Sequence, residues 1–196
     1  EIAQCLVGSE MCIRDSIMTI MIGGGDIYSD DHVTLSGDGA RFDADTAYLG
    51  KNSQTIDYNI VADHFGKKTE SLITVNGALT DSAKKVFRGT IDFKKGSADS
   101  VGSENETVLM LGDDVVNKTV PLILCAEENV EGTHGATIGE LDADTMFYFE
   151  SRGIDRETAE KIMAYAAVER LIHMAEDSEF AAEAEKAMGI KTDTEE

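Results

Sequence analysis

The stretch Glu131-Gly132-Thr133-His134-Gly135-Ala136-Thr137-Ile138-Gly139-Glu140-Leu141-Asp142 holds the residue best placed to do chemistry in this chain of 196 residues. Neutral imidazole is a common metal ligand. His134 stands between a polar turn and the flexible Gly135, where a strand-rich, glycine-punctuated region ends and a helical one begins. Such a position can present the ring to a metal or a partner. The same spacing also fits a turn histidine bonded to local backbone.

The other titratable and nucleophilic residues form no recognisable constellation. His32, His64 and His173 complete the set of four histidines, with no HExxH and no His/Cys cluster at zinc spacing. There is no Walker-type loop and no G-x-S-x-G elbow. Gly23-Gly24-Gly25 lies between strand-like segments with no helix after it, so it reads as a turn rather than a phosphate cradle. The pairs Asp43/Asp45 and Asp113/Asp114 read as solvated faces and turn caps, with calcium as the minor alternative. Cys125 ends the apolar run Val120-Pro121-Leu122-Ile123-Leu124-Cys125 and reads as a buried, inert thiol in a strand.

The elements that must position these residues fall into two parts. From Ile17 to about Gly139 the signal is β. Gly89, Ile91 and Phe93 alternate with polar residues, as do Ile73, Val75 and Leu79, and Phe42 with Ala44. Breakers recur at Gly23–Gly25, Ser36–Gly39, Gly50, Gly66, Asn76-Gly77, Gly96, Gly102 and Gly112–Asp114. Many short strands at near-even spacing mean a sandwich, a barrel or a β-solenoid. No crisp repeat is visible. Small inward residues and sparse hairpin signals, with Asn76-Gly77 reading as a bend, lean toward the solenoid.

After Leu141 the period becomes helical. Asp142 can cap a helix through Met146, Phe147, Phe149 and Arg152, with Gly153 as its left-handed stop. Asp155 can cap a longer helix with Ala159, Ile162, Met163, Ala166, Ala167 and Leu171 on its apolar face. Ser178 can cap a third, with Phe180, Ala184, Ala187 and Met188 along one side and Gly189 as its stop.

Composition narrows the partners. Lys and Arg number 17 against 38 Asp and Glu, a formal net charge of −21. That argues against nucleic acid or an anionic membrane as main partner. No apolar run reaches the roughly 18 residues of a membrane span. The leading string Glu1 to Ser16 resembles translated adaptor or vector sequence, and the chain has no starting methionine, which suggests a fragment of a longer protein. Setting that string aside removes Cys5 and Cys12. The single remaining Cys125 fits a reducing, cytoplasmic setting. The expected organisation is therefore 1–16 non-native or disordered, 17–140 a β core, 141–190 a helical domain and 191–196 an acidic tail.

The Thr133-His134-Gly135-Ala136-Thr137 motif, with Phe147-Tyr148-Phe149-Glu150-Ser151-Arg152-Gly153-Ile154 after it and Phe87-Arg88-Gly89-Thr90-Ile91 before it, resembles the SufB/SufD family of SUF-system iron–sulfur cluster assembly proteins. The SufD-like branch fits better: Glu106 stands where SufB carries its cluster cysteine, and Gly135 where SufB has Glu. Val61-Ala62-Asp63-His64 is similar to a further family string, and His64 reads as structural, at a coil corner. His173 reads as solvent-facing or at a partner contact.

The resemblance implies a right-handed parallel β-helix followed by a small C-terminal helical domain. It implies a non-catalytic scaffold that pairs with a SufB-like subunit, or with itself, and docks a SufC-like ATPase through its C-terminal helices. It also implies a nascent iron–sulfur cluster shared at the subunit interface, with His134 as the metal- and cofactor-binding residue and no ATP site in this chain. Tyr148 and Arg152, four apart on one helical face, are the expected ATPase contacts. SufD proteins often carry a cysteine two residues before this histidine, where this chain has Gly132, so a thiol beside His134 is not expected. The rival reading is a β-solenoid enzyme or module binding carbohydrate or calcium, with carboxylates converging on an aromatic-lined groove.

Overall fold

The computed structural model describes residues 14–174 and 178–188. Nine strands come first: β1 (Arg14–Met21), β2 (Ile27–Leu35), β3 (Arg41–Gly50), β4 (Thr55–His64), β5 (Glu70–Thr80), β6 (Lys84–Phe93), β7 (Ser100–Leu111), β8 (Val116–Cys125) and β9 (Val130–Gly139). Three helices follow: α1 (Ala143–Glu150), α2 (Arg156–Met174) and α3 (Ser178–Met188).

All pairings are parallel and skip one strand. One sheet runs β1-β3-β5-β7-β9 and the other β2-β4-β6-β8. The chain therefore winds as a parallel β-solenoid of about four turns. The β-helix expectation holds, and the sandwich and barrel alternatives do not.

The repeat that the sequence does not display is carried by its corners. The Thr55 N–H donates to Asp26 Oδ1 at 2.7 Å, the Lys67 N–H to Asp38 Oδ1 at 2.8 Å and the Asn52 N–H to Asp81 Oδ2 at 2.8 Å, each pair 29 residues apart. Further along, the Gly96 N–H donates to Glu127 Oε2 at 3.0 Å across 31 residues. Part of the acidity is thus structural, since corner carboxylates satisfy backbone N–H groups of the neighbouring coil. Asn52, Lys68, Asp81 and Asp99 take φ between 54° and 63° at these corners, a conformation short polar side chains tolerate best. Asn76-Gly77 is not a bend: both residues lie within β5.

The interior is one apolar column that includes Phe42, Tyr48, Ile56, Ile60, Ile73, Phe87, Ile91 and Phe93. Phe42, Ala44, Ile73, Val75, Leu79, Gly89, Ile91 and Phe93 all take the inward places that alternation assigns them. The outer faces of the two sheets differ. α2 lies across β3 and β5, so Ala47, Leu49, Ala78 and Leu111 pack with Ala164, Val168, Leu171 and Ile172 in a second core. This explains why β3 is buried on both faces and shows no clean alternation. The other sheet turns a charged face outward, where Arg88 grips Asp57 at 2.5 and 3.0 Å and Lys94 bridges Asp63 at 3.0 Å and Asp92 at 2.5 Å.

Several local expectations need correcting. Arg14, Asp15 and Ser16 belong to β1, and Arg14 pairs with Asp43 at 2.8 Å. Asp43 is therefore a buried ion-pair partner of Arg14 and Arg41, not a solvated carboxylate. The buried face of α2 is Ala159, Ala164, Val168, Leu171 and Ile172, rotated from the expected one, and Ile162 is exposed. On α3 only Ala184 and Met188 of the expected stripe are buried. α1 buries Met146, leaves Phe149 partly buried and exposes Phe147, which is 71% accessible.

The caps hold. The Thr145 N–H donates to Asp142 Oδ1 at 2.7 Å, the Thr158 N–H to Asp155 Oδ1 at 2.8 Å, and Gly153 takes φ 79°. Gly189, the acidic tail and both cysteines of the leading string lie outside the described residues.

The tightest interior contact gives a test. A Cβ at Gly77 would lie 2.5 Å from ring carbons of Tyr48, itself 1% exposed. Gly77→Ala is expected to destabilise the fold by about 1–3 kcal/mol through overpacking. The measurement is the urea midpoint at unchanged slope, and a midpoint equal to wild type would mean that the Tyr48 ring moves aside freely.

Candidate functional site: the last coils of the solenoid

Toward the C-terminal end the interior turns from apolar to polar. β7 presents Ser100, Gly102, Glu104, Glu106 and Val108 inward. Lys85, on the inward row of β6, is 1% exposed and forms an ion pair with Glu106. The Thr119 hydroxyl donates to Glu106, and Lys85 Nζ reaches Thr119 Oγ1 at 3.3 Å. The same ammonium lies 5.6 Å from the ring centroids of Tyr48 and Phe87. Desolvation pulls the Lys85 pKa down, while Glu106 works against that shift. A buried ion pair with a third partner and two aromatic faces keeps this lysine in place.

Glu104 is the exception in this network. It is 2% exposed, and its Oε2 is buried without a hydrogen-bond partner among the described residues. Burial raises its carboxyl to about 7, the negative charge of Glu106 adds to the rise and Lys85 opposes it. Opposite it on β6 is Gly89, where any Cβ would overlap the Glu104 carboxyl.

His134 lies in the middle of β9, not in a turn, and is exposed. Its direction follows from its neighbours. A Cβ at Gly132 would lie 2.8 Å from Ile123 Cγ2 and 3.1 Å from Phe93 Cε2, so Gly132 faces the interior. Two residues on, His134 shares that face. Its register partner on β7 is Glu104. His134 is thus an inward-row residue of the last coil, exposed because no described coil stacks on it. β8 and β9 are the outermost strands of their sheets among the described residues. Val120, Leu122 and Leu124 on β8 and Ile138 on β9 are exposed there, and Pro121 sits on an edge strand, where proline is tolerated.

The remaining candidates lie apart in the fold. Cys125 closes β8 as an exposed free thiol, which corrects the expectation of burial: among the described residues its strand is the last of its sheet and no further strand covers it. His64 is fully buried at a coil corner, with Nδ1 at 2.7 Å from Thr69 Oγ1 and Nε2 at 2.9 Å from Ser71 Oγ, a structural role as expected. Burial lowers its pKa to about 4. His32 meets Asp63 at 2.6 Å on the charged outer face, and His173 is exposed 3.4 Å from Glu169 on α2. Tyr148 is 54% exposed on α1, and the Arg152 guanidinium lies 3.6 Å from its ring centroid. The structure therefore brings Tyr148 and Arg152 together, and it sets His134 above Glu104. Among the described residues no group of three or more His, Cys, Asp or Glu is arranged to hold a metal ion.

The carbohydrate reading finds little support. One surface hollow is lined by Tyr28, Ser29, Asp30, Asp57, Asn59 and Arg88. Its carboxylates are already engaged, Asp57 by Arg88 and Asp30 by the Asn59 amide at 2.7 Å, and it holds a single aromatic ring.

The order of these features agrees with the comparisons. A family model of the SUF system FeS cluster assembly SufBD core domain matches residues 14–167. The chain belongs to the SufBD core family. It is 32% identical over 155 residues to the iron-sulfur cluster assembly protein SufD of Bacillus subtilis (strain 168), covering 78% of this chain and 36% of that protein. It is 27% identical over 159 residues to the chloroplastic SufBD family protein ABCI8 of Arabidopsis thaliana, covering 81% and 28%. To SufD of Escherichia coli (strain K12) it is 22% identical over 159 residues, covering 81% and 38%. The chain spans about a third of the length of these relatives. Among its described residues no helix is long and apolar enough to cross a membrane.

Sequence reasoning missed Glu104 and Lys85. The alternation around Lys85, with Phe87, Gly89, Ile91 and Phe93 on the same parity, was a usable signal. β7 offered none, because neither of its parities is consistently apolar.

The acid at position 104 makes a pH prediction. In the unfolded chain it ionises near 4.5, in the folded chain near 7. The folded state therefore holds the proton more tightly. The stability this contributes is complete below pH 4.5 and is lost as pH rises to 7. Relative to wild type, Glu104→Gln is expected to gain up to about 3 kcal/mol between pH 4.5 and pH 8. Urea unfolding at both pH values checks it, and a wild-type-to-variant gap that does not change with pH would show that the carboxyl titrates normally.

Proposed function

We propose that this chain is the core of a SufD-like, non-catalytic scaffold subunit that helps assemble iron–sulfur clusters in the cytoplasm. It pairs with a SufB-like subunit through the last coil of its solenoid, a homodimer being the other geometry available to the same edge. A nascent cluster is the cargo, held between the two chains, with His134 supplying one ligand.

One observation carries this reading: His134 belongs to the inward row of the last coil, at the open end formed by β8 and β9. A ligand at that place is available only to something that stacks on the end of the solenoid, so the site for metal and the site for a partner coincide. The lack of a complete ligand set among the described residues is compatible with ligands shared across an interface, and such a divided set can release its cargo. Ile138, exposed on the inward row of β9, adds apolar surface beside His134, and Val120, Leu122 and Leu124 are exposed on the outer face of the neighbouring edge strand.

The second contact in this proposal is a SufC-like ATPase on α1. Phe147 and Tyr148 are exposed there, and Arg152 stacks on Tyr148. ATP hydrolysis belongs to that partner.

The test is anaerobic co-expression of the full-length protein with its SufB- and SufC-like partners, scored by co-purification and iron–sulfur absorbance. A stable ternary complex is expected, with His134→Ala lowering cluster content about tenfold or more, because losing even a supporting partner of a ligand costs 10–100-fold in metal affinity. An intact complex with unchanged absorbance in the variant would leave the scaffold and remove His134 from the site. Absence of any complex would reject the scaffold.

A further inference from the structure

Two polar groups in the last coils lack the partners their chemistry calls for. Glu104 Oε2 is buried and accepts no hydrogen bond, and His134 makes none, among the described residues. They are register partners on adjacent parallel strands. Such strands lie about 4.8 Å apart, and in-register side chains on one face stack directly. Both residues occupy the inward face, as Gly102 and Gly132 beside them establish by packing on Ile91, Ile123 and Phe93.

The surroundings leave each as the other's available partner. Lys85, the nearest cation in the interior, is engaged by Glu106 and Thr119. The hydroxyls of Ser103 and Thr133 bond each other at 3.1 Å on the opposite, exposed face. Gly89 clears the space in which the Glu104 carboxyl lies, and Gly132 and Ala136 keep the inward row open on both sides of the imidazole.

The two side chains do not touch in this structure, where the Glu104 carboxyl lies against Gly89. We infer that Glu104 is a positioning residue for His134: rotation of its side chain away from Gly89 lets its carboxyl accept the inward-facing ring N–H of the imidazole when the partner covers the last coil, fixing one tautomer and leaving the other ring nitrogen with its lone pair toward the open end of the solenoid. Metal-ligating histidines donate their second ring N–H to a carboxylate, carbonyl or water in just this way, which orients the ring and raises its basicity. The inference rests on the proposed role of His134 as a ligand. It adds the reason a carboxylate is kept in an otherwise closed interior without a cation of its own.

The decisive measurement is side-chain nitrogen NMR of the full-length protein in complex with its SufB-like partner, at pH 8, with histidine labelled and the His134 signal assigned by its loss in His134→Asn. A single dominant tautomer is expected in wild type. Glu104→Met removes the acceptor at similar volume and is expected to give mixed tautomers in a folded complex. If Glu104→Met fails to fold, Glu104→Gln replaces it, and the His134 ring nitrogens should move toward those of a ring with a weaker acceptor. His134 resonances identical to wild type in the folded variant would overturn the inference.

A cobalt(II) titration of the same complexes separates the two levels. Glu104→Met is expected to weaken binding about 10–100-fold. If His134→Ala leaves cobalt affinity unchanged, the ligand role fails, while the tautomer measurement still decides whether Glu104 positions the ring.

Discussion

In-register stacking of parallel coils is the constraint on which everything else in this molecule depends. Each inward residue lies on its counterpart from the coil before and beneath its counterpart from the coil after. A side chain's surroundings are therefore set about 30 residues away in both directions. A Cβ at Gly77 would meet the ring of Tyr48, its register partner 29 residues before. The corner carboxylates obey the same rule, as Asp26, Asp38 and Asp81 each bond a backbone N–H one coil away. Among the described residues the last coil has a neighbour on one side only, and that asymmetry leaves an inward-row histidine exposed.

The interior and the exterior divide the work of stability and function. The apolar column from Phe42 to Phe93 holds the early coils, and α2 seals one sheet from outside through Val168, Leu171 and Ile172. The polar interior near the end lies beyond this cover, under β7, whose outer face is largely exposed. Lys85 and Glu106 neutralise one another there, and Thr119 satisfies what remains. Glu104 stays an acid whose proton is held to about pH 7 by burial. Buried polar groups of this kind do not arise from packing requirements, since a well-packed apolar pair would serve as well. Of these groups, Glu104 is the one in register with His134 on the next coil.

Much of the fold was legible before any coordinates. Alternation placed Phe42, Ile73, Val75, Ile91 and Phe93 inside, and the caps at Asp142 and Asp155 and the stop at Gly153 followed from local rules of helix termini. These succeed because the deciding interactions lie within four residues or follow a period of two. Errors arose where the deciding partner was distant. Asp43 looked solvated until Arg14 and Arg41 closed on it, and Cys125 looked buried until its strand proved to be the edge. The α2 face was displaced because it packs on a sheet surface rather than against another helix of matched period.

The residues alone determined that strands come first and helices after, where the elements begin, and that the motif around His134 belongs to the SufBD core family. Short-range hydrogen bonding and side-chain alternation carry that information, and a family motif is linear. The tertiary structure alone decided that His134 is in register with Glu104, that Lys85 is spent on Glu106, and that the histidine lies on the outermost described strand of its sheet. The coil length varies along the solenoid and is invisible as a repeat, so only folding brings residues about 30 positions apart into one row.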